Sequence, residues 1–234
     1  MWYLKIMREL LSVLPEASRK DGRIFLNKLF FSVEEITEQQ TEIEFFLGLI
    51  EKSFLKFERK EPGSVSLTEF CKHILGLTLL YVKSSDDLAI WNSDFVPALK
   101  KGKIKHFLIL DKKERAKISS IRLLNKIEMD TFASLEHTVN INFEHLRIIL
   151  NKYHTTETAQ FFIKNYSTRL DGENCCGEFK LLVQDAQTFV DKQRNQILPP
   201  PSFSTSHRLS IFQPIIGHNS ESAIINHTQK IRQP

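Results

Sequence analysis

Between Val33 and Phe57 the apolar residues Val33, Ile36, Ile43, Phe46, Leu47, Ile50, Phe54 and Phe57 return at steps of three, four and seven. A helical period of roughly 3.6 residues gathers all of them on one stripe, so this segment is helix and must bury that stripe against other elements. Ser32-Val33-Glu34-Glu35 has the capping-box spacing, with Glu three residues after Ser, and Pro62-Gly63 marks a stop. The spacing therefore predicts one helix over 33–57, with Gln39 and Gln40 in its seam. A strand has a period of two and cannot accommodate this pattern.

The same period recurs along the chain and makes the expected fold class all-α, an elongated helical bundle. Leu4, Met7, Leu10, Leu11 and Leu14 share a face, and Pro15 ends or kinks that helix. Residues 15–23 are polar and read as a turn, and 24–31 as a short apolar segment. Ser66 to Glu69 forms a second capping box before Phe70, Cys71, Ile74, Leu77 and Tyr81; Gly76 inside that helix costs about 1 kcal/mol relative to Ala. A helix is expected around 87–91, and Ser93-Asp94 should cap another before Gly102. The run 104–110 fits strand or helix equally. Residues 112–129 read as one helix with Ile118, Ile121, Leu124 and Ile127 in register. Asn142 and Thr155 are placed to cap two more, and 179–198 forms the last. Pro199-Pro200-Pro201 is a composition break. The expected organisation is a helical domain over 1–198, divided into 1–110 and 111–198, followed by a disordered tail over 199–234.

Apolar residues at 41% and charged residues at 26% allow a packed core, and the eighteen phenylalanines are best used to fill it. Cys71, Cys175 and Cys176 are an odd set without disulfide or zinc spacing, so no structural metal is expected. The amino terminus lacks the apolar run of a signal peptide, and no stretch approaches the roughly 18 apolar residues of a membrane span, which points to a cytoplasmic protein.

Catalytic spacing is absent. The sequence has no nucleophile elbow, phosphate loop, dinucleotide fingerprint or zinc-protease motif, and it calls for no cofactor. His137 and His145, eight residues apart, are a weak metal pair. Asp86-Asp87 and Glu34-Glu35 are adjacent acids that diverge on a helix and suit capping better than acid-base chemistry. The net charge of +4 is mild and dispersed, and the one dense basic stretch holds Lys100, Lys101, Lys103, Lys105, Lys112, Lys113, Arg115 and Lys117. It is either a solvated helix face or a weak contact for acidic lipid headgroups or an acidic protein. No nucleic-acid-binding motif accompanies it, so nucleic acid is not an expected partner. The sequence thus describes a protein that works by contact.

Residues 2–108 resemble the Dbl-homology domain of Rho-family guanine nucleotide exchange factors. Trp2-Tyr3-Leu4-Lys5-Ile6-Met7-Arg8-Glu9-Leu10-Leu11 looks like the family's first helix, cut just after its acidic position. Leu29-Phe30-Phe31-Ser32-Val33-Glu34-Glu35-Ile36, running on to Phe46-Leu47-Gly48-Leu49-Ile50-Glu51, is similar to the segment that follows. Leu80-Tyr81-Val82-Lys83 and Lys103-Ile104-Lys105-His106-Phe107-Leu108 resemble later parts of the domain. The resemblance implies an elongated all-helical bundle that binds a small GTPase of the Rho family and stabilises its nucleotide-free state, with Tyr3, Glu35, Gln39 and Gln40 as contacts. Tyr3 alternatively packs the end of the bundle. Two other readings remain open. One is a helical scaffold or adaptor without GTPase activity. The other is a different G-protein regulator: Leu14-Pro15 with Arg19 and 67–80 is similar to a RhoGAP bundle, and 142–189 to an RGS domain.

Overall fold

In the computed structural model the described residues are 2–37, 43–85, 90–109, 111–167 and 177–197. The chain divides into two compact units, Met1–Leu198 and Pro199–Pro234. The second unit, and with it the predicted tail, lies outside the described residues, as do Asp171-Gly172 and Cys175-Cys176. Among the described residues every regular element is a helix. They are α1 (Trp2–Glu9) with a 3-10 turn (Leu10–Val13), α2 (Glu16–Thr37), α3 (Ile43–Phe57), α4 (Leu67–Ser85), α5 (Asn92–Lys101), α6 (Lys105–Leu108), α7 (Lys112–Lys117), α8 (Ser120–Ser134), α9 (Phe143–Tyr153), α10 (Thr156–Tyr166) and α11 (Gly177–Ile197).

The helix predicted over 33–57 is not one helix. The ring centroids of Phe30 and Phe46 lie 5.8 Å apart. On a continuous helix, sixteen residues would separate them by about 24 Å. The chain therefore reverses between α2 and α3. The step of seven from Ile36 to Ile43 preserves a helical period across the polar run 38–42, so periodicity alone could not register the reversal. Ser32 is no cap either: it lies inside α2, and its hydroxyl donates to the carbonyl of Lys28 at 2.8 Å, one turn back. The helix begins instead directly after Pro15, with Glu16 at the positive end of the dipole, so the predicted turn over 15–23 is its first two turns.

Three other expectations change. Residues 112–129 form two helices, because Ser119 breaks the run and its hydroxyl accepts from the amide of Arg122 at 3.2 Å. Ile118 is half-buried and Ile121 is exposed, so the expected register fails. Most of the helix expected around 87–91 lies outside the described residues, and Trp91 is extended. Asp94 caps α5 as expected, but as the third residue after an N-cap at Trp91, the reaching-back half of a capping box. It sits in the first turn and its carboxylate accepts from the amide of Trp91 at 2.7 Å. The ambiguous run 104–110 resolves as the short helix α6. Ser66, Asn142 and Thr155 cap their helices as expected.

One apolar cluster joins α1 to α11. Helix α4 lies at its centre, packed on α2, α3, α6 and α8. From Phe70 to Val82 it buries residues on every side, as an interior helix must. Two of its contacts are backbone-close. A Cβ on Gly76 would lie 1.9 Å from Thr131 Oγ1 on α8, and one on Gly48 of α3 would lie 2.3 Å from the Tyr81 ring. The helical cost noted for Gly76 is thus the condition for close crossing of α4 and α8.

Candidate functional site: a cationic cleft on α5 to α7

Helix α5 ends in Lys100-Lys101, and the turn Gly102–Ile104 folds the chain back into α6. Lys103 occupies the left-handed region of that turn, at φ 55°, and is exposed. Ile104 and Leu108 are buried and anchor the turn to the core. Beside them the chain forms an open cleft of about 480 Å³ lined by Leu99, Lys100, Lys103, Lys105, His106, Lys112 and Arg115. Lys105 donates to the carbonyl of Ile118, which ties α6 to the segment before α8. Among the described residues, Lys100, Lys103 and Lys112 are exposed and carry no ion pair. Asp111, at the start of α7, accepts the amide of Lys113 at 2.7 Å. The wall is mostly the aliphatic stems of these side chains, and the positive residues around it suit the surface to an anion bearing several charges.

Of the residues singled out by the resemblance, the structure describes the side chain of Tyr3, which does not line this cleft. Tyr3 is in the core, 4% exposed. Its ring stacks on Phe46 at 3.7 Å between centroids and meets Phe30 edge-on at 5.0 Å. It packs the end of the bundle, the alternative role read from the sequence. Glu35 lies in the last turns of α2, with its side chain outside the description. Gln39 and Gln40 lie outside the described residues. Arg19, read as a possible GAP residue, donates to the carbonyls of Leu14 at 3.3 Å and Ser12 at 3.4 Å. Its guanidinium thereby braces the carbonyls at the end of the 3-10 turn.

The titratable groups elsewhere are structural. Glu51 is buried, with its Oε2 2.9 Å from Lys52 Nζ and its Oε1 3.0 Å from His145 Nδ1. Both carboxylate oxygens therefore have a nitrogen partner at close range, as burial of a carboxylate requires. His73 is buried, and loss of water together with the nearby Lys56 charge lowers its pKa to about 3. Burial lowers that of His154 to about 4 against a weaker opposing pull from Asp185. Both are neutral at physiological pH. Burial pushes the Cys71 thiol far up, so it is not a nucleophile. His137 packs edge-on against Phe132, apart from the Glu51 contact of His145. Among the described residues no group of three or more His, Cys, Asp or Glu is gathered as a metal site, and no helix is long and apolar enough to cross a membrane.

Fold and site together define, among the described residues, an all-α protein with a basic cleft. No family model, no curated protein and no solved structure matches the chain.

Proposed function

We propose that the protein works by binding, that its working surface is the α5–α7 cleft, and that the ligand is a multiply charged phosphate-bearing anion. The observation behind this reading is that Lys100, Lys103, Lys105, Lys112 and Arg115 all line one concave surface. Ammonium groups on long stems act as strongly hydrated point charges and suit phosphate better than a planar carboxylate. Titration of the full chain with inositol hexakisphosphate tests it by calorimetry. Saturable binding should weaken as salt rises. Lys100→Glu with Lys103→Glu should abolish it, and Lys180→Glu on the exposed side of α11 should leave it unchanged. Equal binding by all three proteins ends the proposal.

A second reading keeps the resemblance: a regulator of Rho-family GTPases acting like an exchange factor. The order of sequence segments through 2–108 supports it. In that reading Glu35, Gln39 and Gln40 touch the GTPase, and Tyr3 serves by holding Phe30 and Phe46 in the bundle. Such a protein needs no proton chemistry, only tighter binding of the nucleotide-free state. Release of labelled GDP from purified Rho-family GTPases decides it; an unchanged rate, with no capture of the nucleotide-free form, removes it.

A further inference from the structure

One aromatic side chain next to the cleft is on the outside. Phe31 is 54% exposed, although its neighbours Phe30 and Ser32 are buried. It stands where α2 packs on the end of α5: the Ser32 hydroxyl lies 3.4 Å from the carbonyl of Ala98. Lys101 Nζ lies 5.9 Å from the centre of the Phe31 ring. One turn earlier on the same face of α2, Lys28 Nζ lies 5.9 Å from the ring of Phe107, which is half-buried on α6. Phe31 and Lys101 thus stand beside the Gly102–Ile104 turn, whose Lys103 lines the cleft.

We infer that this face docks on an anionic membrane surface, with phosphate headgroups in the cleft and the Phe31 ring in the headgroup–acyl boundary. The inference rests on the cleft reading and names the source of its anion. The residue types choose the source. Protein interfaces favour Arg, Tyr and Trp and are depleted in Lys. This face offers Lys28, Lys100, Lys101, Lys103, Lys105 and Lys112 against the one guanidinium of Arg115, and a phenylalanine with no polar tip. Lysines near an anionic leaflet each add attraction without needing a fixed partner geometry. An aromatic ring gains from leaving water at the interface. Together they supply the two signals, charge and apolar insertion, that stable peripheral attachment takes.

The test uses the full chain in co-sedimentation with phosphatidylcholine vesicles, alone and with phosphatidylserine or a phosphoinositide added. Inositol hexakisphosphate titration runs in parallel. The chain should bind the anionic vesicles only, and less as salt rises. Phe31→Ser should weaken vesicle binding about tenfold, the worth of one exposed ring transferred from water. It should leave inositol hexakisphosphate binding and the melting temperature unchanged. Lys100→Glu with Lys103→Glu should lose both. If inositol hexakisphosphate binds but anionic vesicles do not, or if Phe31→Ser binds vesicles like the parent, the membrane inference falls and the cleft reading stands. If neither ligand binds, both fall. Duplex DNA competing as well as anionic vesicles, or an acidic protein captured in place of lipid, also overturns the membrane inference.

Discussion

Replacing Gly76 with Ala sets two effects of opposite sign against each other. Within a helix, Ala is better than Gly by about 1 kcal/mol, so local propensity alone makes the variant more stable. The structure argues the reverse. The added Cβ would lie 1.9 Å from Thr131 Oγ1, 2.6 Å from Thr131 Cβ and 3.1 Å from Thr131 Cγ2. Rotating the threonine can move its hydroxyl but not its Cβ, which at 2.6 Å is well inside van der Waals contact, so α4 and α8 must separate by most of an ångström where they cross. Overpacking of a filled core costs about 1–3 kcal/mol, often more where backbone must shift. Net of propensity, Gly76→Ala should lose about 1–2 kcal/mol, or about 2–8 °C of melting temperature for a domain of this size. Thr131→Gly in the same chain removes the obstructing atoms, so the double variant should be more stable than the sum of the two single losses. Urea denaturation followed by far-UV circular dichroism measures all four proteins. A Gly76→Ala protein more stable than the parent, or strict additivity with Thr131→Gly, refutes the close-crossing argument.

Acidification should destabilise the fold well before the carboxylates titrate. His73 and His154 take up protons only near pH 3 and pH 4 in the native state, but near pH 6.5 when unfolded. Between those values the unfolded chain binds more protons, so stability falls as pH drops below about 6.5, on the order of 2 kcal/mol for each histidine by pH 5. A chemical-denaturation midpoint that stays level from pH 7 to pH 5 contradicts their burial as neutral groups. Ser119→Ala should lose about 1 kcal/mol because it uncaps α8; if 112–129 were one helix, the same change would be neutral or stabilising, and the thermal midpoint tells them apart. Phe30→Ala and Phe46→Ala should each cost about 3–5 kcal/mol and show a coupling of about 0.5–1.5 kcal/mol in a double-mutant cycle. Additive losses would be the signature of a chain that does not fold back between α2 and α3.

The basic stretch was legible because its lysines are neighbours in the chain. Its aromatic companion was not. Phe31 precedes Lys101 by seventy residues, and in sequence it is one of eighteen phenylalanines. Only the packing of α2 on α5 shows that Phe30 goes inward and Phe31 outward. Tyr3 makes the same point in the opposite direction. The resemblance made it a GTPase contact and the sequence left packing of the bundle end open beside that; the chain reversal after α2 encloses its ring between Phe30 and Phe46.

Local chemistry decided that the described chain is helical and where many helices begin. A 3.6-residue period and a side-chain oxygen within reach of a free amide act over a few residues, and both are written in consecutive letters. The hydroxyl of Ser66, the amide of Asn142 and the hydroxyl of Thr155 cap helices as the sequence predicted, whereas Ser32, with the same motif, lies in mid-helix because α2 had already begun at Glu16. Where the chain turns back, which glycine permits close packing and which phenylalanine stays exposed are settled by contacts among residues far apart in sequence. Such contacts form only when many elements bury area together, so they belong to the tertiary structure.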